Sequence, residues 1–406
     1  CLEAEAYCLW KSKESGKKIR LPAEAQWLAL RESILEDQFD WELAPGNLNL
    51  EHWASACPVN QFKTIMEDGN EFFDVIGNVW QWTGTPITGM PGFKVHQVYD
   101  DFSTPTFDGK HNLIKGGSFF STGNCATKDA RYAFRRHFFQ HAGFRYIESE
   151  DKIITELNPY ETDEQVSQYI EFHFGENYFD VPNFAAECGK NALRYFAKHC
   201  KSNPRRALDL GCAIGRTSLE LARVFEHVDG IDFSARFISA ATRLKETGSS
   251  RYKIRDEGDI FSFKEASLKS LDLDSSANRC QFWQGDACNL SEKFINYDLV
   301  FAGNLIDRLY EPGKFLKKTH SLVNPGGLLI LTSPYTWLEE FTNRDEWVGG
   351  FKRDGENRRT IEGLTDALSE HFELVAEPAD VPFVIRETAR KFQHSISQIS
   401  VWRRLA

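Results

Sequence analysis

Hydrophobic and polar residues follow different rhythms in the two halves of the chain, and the second half is the more regular. Apolar residues at helical spacing predict helices over 164–174, 184–199 and 216–225. Short apolar runs predict strands, with further helical runs between them, at 206–210, 227–231, 280–284, 297–303, 328–331 and 372–376. Strands that alternate with helices predict an α/β fold with a parallel sheet covered on both faces.

The first 150 residues lack this alternation and are interrupted by turn-forming runs at 44–47, 77–78, 90–92 and 115–117. Residues 1–10 predict an amphipathic helix with an apolar face formed by Leu2, Ala6, Leu9 and Trp10. The chain starts inside this helix, so we interpret it as the back part of a longer protein. The polar segment 148–158 separates the irregular first part of the sequence from the regular second part. We therefore predict two domains, 1–150 and 151–406.

Composition narrows the class of protein. The 406 residues are 41% hydrophobic and 26% charged, which excludes a disordered, collagenous or coiled-coil chain. A net charge of −11 disfavours a nucleic-acid partner, because a broad nucleic-acid footprint needs excess positive charge. The sequence has no apolar run long enough to span a membrane, so we expect no membrane partner. It leaves the oligomeric state open.

Nine cysteines are spread irregularly along the chain, and none forms a CxxC pair. An odd count without regular spacing fits reduced thiols better than a disulfide framework or a structural zinc site. Most of them are expected to be small buried hydrophobes. Reduced thiols predict a cytoplasmic location.

The richest chemical signal is the run 207–216, ALDLGCAIGR, at a predicted strand-to-helix turn. Small residues there let the backbone approach a ligand closely. Asp209 ends the strand and can reach a ligand's amino group. Asp232 ends the next strand, where an acid suits the two hydroxyls of a ribose. After a third strand, Asp286 between Gly285 and Ala287 can meet an adenine amino group.

The DxGxxxG spacing of this turn resembles the S-adenosylmethionine turn of class I methyltransferases, and 324–330 resembles that family's turn before a late strand. The resemblance implies a Rossmann-like α/β methyltransferase domain that uses S-adenosylmethionine; the alternative is an α/β domain with an empty turn. Ala213 departs from the family, which usually has Gly there. The implied cofactor contacts are Asp209, Gly211, Cys212, Ala213, Gly215, Asp232, Phe233, Gly285, Asp286, Ala287 and Asn304.

Candidate catalytic residues follow from the same resemblance. Asn304, Asp307 and Tyr310 are expected beside the methyl donor, at the end of the strand 297–303; Asp307 has the alternative role of capping the helix that follows it. An aromatic lid over this region is predicted from Tyr169, Phe172, His173, Phe174 and Tyr178. Tyr169 is a candidate substrate contact, and His173 is either a base or a structural histidine.

Four separated motifs mark the first half: 20–27 (RLPAEAQW), 77–83 (GNVWQWT), 115–119 (KGGSF) and 142–145 (AGFR). In this order they resemble the C-terminal part of a formylglycine-generating-enzyme (sulfatase-modifying-factor) domain, an α+β, C-type-lectin-like fold. Trp80 and Trp82 are expected to pack in its core. True formylglycine generators carry a cysteine pair near the Gly-Gly-Ser segment, and only Cys125 lies nearby, so that activity is disfavoured.

The order of the two domains, with the stretches 98–108, 133–145 and 158–163, resembles the bifunctional enzymes of ovothiol biosynthesis. That family joins a 5-histidylcysteine sulfoxide synthase to a 4-mercaptohistidine N1-methyltransferase. The resemblance implies methylation of the imidazole of 5-thiohistidine, with histidine, cysteine and oxygen as further small-molecule partners of the parent enzyme. It places Fe(II) only in the full-length parent, on ligands of an N-terminal DinB-like domain outside this chain.

Within the first half, the resemblance makes Tyr99 the candidate for steering oxygen chemistry. Arg135 and Arg136 are either substrate-carboxylate contacts or structural arginines. His137 and His141 are four residues apart, but a third ligand is missing from the pattern and no metal ligand is assigned. Three alternatives stay open: another small-molecule methyltransferase, a first half that is a non-catalytic binding module, and a retained iron oxygenase.

Overall fold

The computed structural model describes residues 1–32, 43–66, 69–90, 93, 106–138, 141–151, 153, 160, 162–201, 203–353 and 355–405. The chain divides into two compact units. One consists of Cys1–Pro91 and Thr106–Leu157, and the other contains Asn158–Ala406. The domain boundary at 150/151 stays a prediction.

Short elements build the first unit, as its many turn signals predict. Its four-stranded sheet has the order β6-β5-β4-β7, in which only β4 and β7 pair in parallel. β1 pairs with β8, and β2 pairs with β3. The described elements are α1 (Leu2–Ser15), β1 (Ile19–Arg20), α2 (Glu24–Glu32), β2 (Lys63–Ile65), β3 (Glu71–Phe73), β4 (Trp80–Pro86), β5 (His111–Lys115), β6 (Tyr132–Arg135), β7 (Ala142–Phe144) and β8 (Ile147–Glu148).

Trp80 and Trp82 are buried in the core of this unit, which confirms their predicted packing role. Helix α1 forms as predicted, but its predicted apolar face is wrong. The buried side chains are Ala4 and Cys8, whereas Leu2, Leu9 and Trp10 are 51%, 65% and 53% exposed. The small residues allow close approach to the core. Ser12, on the same face at i+4 spacing, fixes the helix by bonding both the N–H and the carbonyl of Ile19 in β1.

The second unit is built on one eight-stranded sheet. Seven of its strands have the order β13-β10-β9-β14-β15-β20-β18, and the eighth, β19, pairs with residues 392–399 of β20. Its strands are β9 (Arg206–Leu210), β10 (His227–Asp232), β11 (Ser249–Glu257), β12 (Ile260–Ser267), β13 (Cys280–Gln284), β14 (Tyr297–Gly303), β15 (Val323–Ser333), β16 (Phe351–Arg353), β17 (Glu356–Arg358), β18 (Phe372–Leu374), β19 (Ala379–Arg386) and β20 (Phe392–Arg404).

Helices cover both faces of this sheet, as predicted. Alternate residues of each central strand enter two separate cores: Ala207 and Leu299 lie in one, and Leu208 and Val300 lie in the other. The helices are α3 (Asp163–Phe174), α4 (Phe184–His199), α5 (Arg216–Leu221), α6 (Ala235–Thr247), α7 (Asp274–Ala277), α8 (Pro312–Leu322) and α9 (Thr360–Leu368), with 3₁₀ turns at Lys269–Leu271, Ala287–Asn289, Ile306–Arg308 and Arg344–Glu346.

The predicted parallel sheet is present, with an antiparallel addition at one edge. The strands from β13 to β15 run parallel, but β20 is antiparallel to β15, β18 and β19. β19 and β20 are joined by the short connection 387–391, and strands joined so closely pair antiparallel. The antiparallel hairpin β11–β12 also replaces a region where helical runs were predicted. The predicted helix 216–225 ends at Leu221, after which the chain tightens into i→i−3 bonds at Arg223 and Val224.

All nine cysteines are free thiols, and six of them are buried, as the sequence predicts. Within the described ranges, no helix is both long and apolar enough to cross a membrane. The cytoplasmic location stays a prediction.

A close approach of α9 to the preceding loop provides a test of this packing. A Cβ atom on Gly363 would lie 1.6 Å from the carbonyl oxygen of Val348. We expect Gly363→Ala to lower the free energy of unfolding by about 1–3 kcal/mol, because the clash outweighs the better helix propensity of alanine. Calorimetric unfolding of the variant measures this loss.

Gly313 in α8 is the matched control, because a Cβ there meets nothing within 4 Å. We expect Gly313→Ala to be neutral or to gain up to about 1 kcal/mol. Equal stability of Gly363→Ala and the unchanged protein would contradict the packing described here.

Candidate functional site

The candidate site lies where the strand order of the second unit reverses. The chain goes from β9 outward to β10 and β13 on one side, then crosses to β14 and β15 on the other. The carboxyl ends of these parallel strands meet at one edge of the sheet. Open α/β sheets bind ligands in the crevice at such a switch point.

The turn after β9 adopts a left-handed backbone at alternate residues. Gly211, Ala213 and Gly215 have φ angles of 73°, 45° and 83°. The N–H groups of Gly211 and Cys212 both donate to the carbonyl of Ile231 in β10, at 2.8 and 3.1 Å. A Cβ on Gly215 would lie 2.4 Å from the ring of Phe282, so glycine is required there.

Ala213 holds a conformation that favours glycine, and a hydrogen bond explains how it does so. Its N–H donates to Oδ2 of Asp232 at 2.9 Å, while Oδ1 of Asp232 accepts from the N–H of Ser234, also at 2.9 Å. Burial in the crevice raises the pKa of Asp232 to about 6. A carboxylate has about four acceptor positions, so these two bonds leave capacity for two more donors.

Asp209 lies behind the turn and is almost fully buried, with 1% of its surface exposed. The hydroxyl of Ser218 in α5 donates to its Oδ2 at 2.6 Å. Burial, with the nearby negative charge of Asp232, raises the pKa of Asp209 to about 7.

The third acid, Asp286, follows β13 and is buried. Its Oδ1 accepts from the N–H of Cys288 at 2.8 Å, and its Oδ2 accepts from the hydroxyl of Tyr310 at 2.6 Å. Burial raises the pKa of Asp286. The structure therefore places the Tyr310 hydroxyl against Asp286, at the end of β13.

The other predicted contacts of this edge lie close to these acids. Gly285 donates its N–H to the carbonyl of Asp232 at 2.9 Å, and Ala287 begins the 3₁₀ turn after Asp286. Phe233 follows Asp232, and 41% of its surface is exposed.

Asn304 ends β14 in a left-handed conformation, with φ at 50°. Its Oδ1 accepts from the hydroxyls of Thr332 and Ser397, at 3.2 and 2.7 Å, so its side-chain amide group is oriented by two neighbouring strands. The side-chain N–H₂ of an amide so oriented is the group available to a ligand.

Asp307 is fully buried and does not cap helix α8, whose N-cap residue is Glu311. Its carboxylate instead accepts from the Ser333 hydroxyl at 2.9 Å, the Thr336 N–H at 3.1 Å and Arg308 at 2.9 Å. Burial raises its pKa. These bonds join the turn after β14 to the end of β15.

Two residues of the predicted aromatic lid lie at the glycine turn. Tyr169 packs on Phe237 with ring centroids 4.7 Å apart, and Nδ1 of His173 accepts from the N–H of Arg216 at 3.4 Å. Burial and the Arg216 charge lower the pKa of His173 to about 3, which leaves a neutral, weakly basic ring. Elsewhere on the lid, Phe172 stacks on Phe184, and Tyr178 donates to Glu171.

The structure does not bring the predicted site residues of the first unit together as it does those of the second unit. Arg136 donates to Oδ1 of Asn112 at 2.7 Å, which supports its structural interpretation, whereas Arg135 is exposed at the end of β6. Tyr99 lies outside the described residues. His137 and His141 are exposed, and in the part of the chain that the structure describes no three His, Cys, Asp or Glu side chains converge as a metal site.

One residue at the switch point, Arg308, was missed by the sequence reasoning. It lies in the 3₁₀ turn after β14, and its positive charge opposes the burial that raises the pKa of Tyr160. Its position beside Asp307, shortly after an apolar strand, is the local signal that could have indicated it.

Comparison with known proteins agrees with this arrangement. Residues 2–150 match the model of the sulfatase-modifying factor enzyme 1-like domain, and residues 208–329 match that of a methyltransferase domain. The chain joins a sulfatase-modifying-factor domain to a class I methyltransferase domain. This confirms the fold class predicted for both halves, and it makes the protein an enzyme of the methyltransferase kind.

The curated relatives are similar over part of their length. Hercynine oxygenase of Mycobacterium tuberculosis is 29% identical over 133 residues, which are 29% of this chain and 27% of that protein. Ergothioneine biosynthesis protein 1 of Schizosaccharomyces pombe is 34% identical over 132 residues, which are 32% of this chain and 16% of that protein. The chain thus spans less than a third of the length of either relative.

Solved methyltransferases are also similar. The N-methyltransferase NodS of Bradyrhizobium japonicum, in complex with S-adenosyl-l-homocysteine, is 15% identical at a TM-score of 0.35, covering 59% of this chain and 98% of that one. Magnesium protoporphyrin IX methyltransferase of Synechocystis is 16% identical at a TM-score of 0.36, covering 58% and 93%. Because these scores are low, the assignment of the second unit as a methyltransferase domain depends on its strand order and on the family model, and not on these two structures.

The burial of Asp209 predicts a pH-dependent effect on stability. Its pKa is raised from the ordinary 3.8 to about 7, so folding favours the protonated acid, and the carboxylate becomes destabilising as the pH rises through this range. Asp209→Asn removes the ionisation and keeps an acceptor for Ser218. We expect the stability of the variant relative to the unchanged protein, without ligand, to increase from about pH 4 to about pH 7 and then level off.

Urea unfolding at a series of pH values measures this difference. Asp229→Asn is the control with the opposite sign: although burial opposes it, hydrogen bonds from Trp283 and Tyr297 lower the pKa of Asp229. That variant should therefore lose relative stability as the pH rises. A pH-independent difference for Asp209→Asn would show that the carboxyl group is not destabilised by burial.

Proposed function

We propose that the chain methylates a ring nitrogen of 5-thiohistidine with S-adenosylmethionine, in ovothiol biosynthesis. The observation that carries this proposal is the position of three carboxylates, the buried Asp209 and Asp286 and the half-buried Asp232, at the ends of neighbouring strands around a left-handed turn in a methyltransferase domain. We infer that the first unit belongs to an iron-dependent 5-histidylcysteine sulfoxide synthase module of a longer parent enzyme, and we assign no step to iron in this chain.

The residues present fit a nucleoside with a cationic sulfur. Asp232 keeps acceptor capacity for the two ribose hydroxyls, Asp286 can accept from the adenine amino group, and Asp209 contributes negative charge near the turn. The left-handed turn removes side chains from the path of the ligand. S-adenosylmethionine, when bound, supplies a methyl group on a sulfonium.

The chain's own contribution is alignment and exclusion of water. Asn304 is oriented by Thr332 and Ser397 at the strand end where an acceptor would lie. None of the three candidate bases is favoured by its surroundings: the pKa of His173 is low, and Asp307 and Tyr310 are engaged with other groups. We therefore infer that positioning of the ring nitrogen, and not a strong base, provides most of the acceleration.

The names of the relatives support a small-molecule substrate of this kind. One is named for oxygenation of hercynine and the other for ergothioneine biosynthesis. The competing proposal is a methyltransferase with another small acceptor. A panel of imidazole, thiol and amine acceptors separates the two.

Methyl transfer tests the proposal directly. We expect mass spectrometry to detect one labelled methyl group on the ring of 5-thiohistidine after incubation with the protein and methyl-labelled S-adenosylmethionine. Asp232→Ala should weaken cofactor affinity about 10- to 100-fold, because two charge-assisted hydrogen bonds to the ribose are lost.

Asp259→Ala is the matched control, since this acid is fully exposed at the turn of the hairpin β11–β12 and should not affect cofactor affinity. Full retention of cofactor affinity in Asp232→Ala would contradict the assigned binding site. Cofactor binding without transfer to 5-thiohistidine would point to another acceptor.

A further inference from the structure

Arg308 provides a partly accessible positive charge at the edge where methyl transfer is proposed. It follows β14 in the turn Ile306–Arg308, and 26% of its side chain is exposed. β14 pairs in parallel with β9, the strand before the glycine turn, so the turn Ile306–Arg308 and the glycine turn follow neighbouring strands at the same edge of the sheet. A charge so placed can contact a ligand without a rearrangement of the backbone.

The guanidinium group of Arg308 is fixed by hydrogen bonds from one of its nitrogen atoms, Nη1. Nη1 donates to the main-chain carbonyl of Asp307, to Oδ2 of Asp307 and to the carbonyl of Thr336, each at 2.9 Å. The ring of Phe341 lies against the same group, with its centroid 4.8 Å from Cζ. Because an arginine has five N–H donors, these bonds leave the three donors on Nε and Nη2 for Tyr160 and for a ligand.

Two tyrosines connect Arg308 to the cofactor edge. The positive charge of Arg308 opposes the rise in the pKa of Tyr160 and Tyr169 that burial causes. The rings of these tyrosines are in contact, with centroids 6.0 Å apart. The hydroxyl of Ser234 donates to the carbonyl of Tyr160 at 3.2 Å, and the N–H of Ser234 donates to Asp232, so Tyr160 lies at the same strand end as that carboxylate.

Other cations near this crevice are neutralised by their own carboxylates. Arg216 is buried against Glu220 at 2.8 Å, Lys264 bonds Glu171 at 2.8 Å, and Arg236 pairs with Asp163. Arg308 is also paired, with Asp307, but only its Nη1 atom takes part in that pairing. At 26%, its side chain is more exposed than those of Arg216, Arg236 and Lys264. The other edge of its guanidinium can therefore meet a ligand.

We propose that Arg308 binds the α-carboxylate of the methyl acceptor and thereby selects amino-acid imidazoles over imidazoles without a carboxylate. A planar guanidinium makes two parallel bonds to a carboxylate, so it fixes direction as well as position. Anchoring the acceptor at a second point holds its ring at one distance from the donor. This inference depends on the proposed function and adds the group that distinguishes acceptors.

The test compares two acceptors that differ only in the carboxylate: 5-thiohistidine and its decarboxylated analogue, 5-thiohistamine. We expect the unchanged protein to favour 5-thiohistidine in kcat/KM by about 10- to 100-fold, the worth of one charged bidentate contact. Arg308→Met should remove this preference, mainly through KM for 5-thiohistidine. Arg308→Lys, which keeps the charge but loses the fork, should keep part of it.

The ratio between the two acceptors does not depend on how much of a variant is folded, so partial unfolding of Arg308→Met leaves the test valid. The affinity for S-adenosylhomocysteine, measured by calorimetry, should be unchanged in both variants. Arg344→Met is the matched control: this arginine lies in another 3₁₀ turn, against Trp347, with 65% of its side chain exposed. It should keep the full preference.

Three results would overturn the proposal. Equal losses for both acceptors in Arg308→Met would make the residue structural. A parallel loss of affinity for S-adenosylhomocysteine would assign Arg308 to the cofactor's own carboxylate. Transfer by the unchanged protein to both acceptors at equal efficiency would refute the selection but leave the proposed function standing, whereas bound cofactor without transfer to either acceptor would refute both.

Discussion

The site depends on one constraint: the chain must leave β9 through a left-handed turn that stays attached to β10. Two N–H groups of the turn share the carbonyl of Ile231, and the N–H of Ala213 reaches the Asp232 carboxylate. These bonds fix the turn against β10, so helix α5 begins directly after it, with Gly215 as its N-cap. The acid that is proposed to bind the ribose is therefore also the one that holds the turn in shape.

This double use has an energetic consequence. The pKa values of Asp209, Asp232 and Asp286 are all raised, chiefly by burial, so the ligand-free protein holds three acids in surroundings that disfavour their charge. Hydrogen-bond donors and positive charge on a ligand offset that cost. Stability and ligand binding are thus coupled through the same carboxylates, as expected where a binding edge is optimised for a ligand and not for the empty protein.

Elements with many buried side chains were predicted from the sequence more accurately than elements with few. The strands 206–210, 280–284 and 297–303 match the structure residue for residue. The two central ones, 206–210 and 297–303, are largely buried runs between clear turns, which makes them easy to predict. The hairpin β11–β12 was missed, since few of its side chains, Tyr252 and Ile254 among them, are buried. The face of α1 was wrong for a related reason: periodicity identifies apolar residues, but small residues such as Ala4 and Cys8 decide which face can approach a core.

The same limit explains which site residues could be predicted. Asp209 and Asp232 lie at the carboxyl ends of parallel strands, so chain order alone places them at one edge. Arg308 gains its significance from partners that are distant in sequence, Tyr160 and Thr336, and neither contact leaves a local pattern.

Backbone strain occurs at three strand ends of this edge: Ala213, Asn304 and Tyr335, which follow β9, β14 and β15, all have positive φ angles without being glycine. Such conformations persist where neighbouring bonds hold them. The N–H of Ala213 donates to Asp232, that of Asn304 donates to the Thr332 hydroxyl, and that of Tyr335 donates to the Ser333 hydroxyl. Because Thr332 and Ser333 are consecutive residues of β15, a change at the end of that strand must affect both Asn304 and Tyr335.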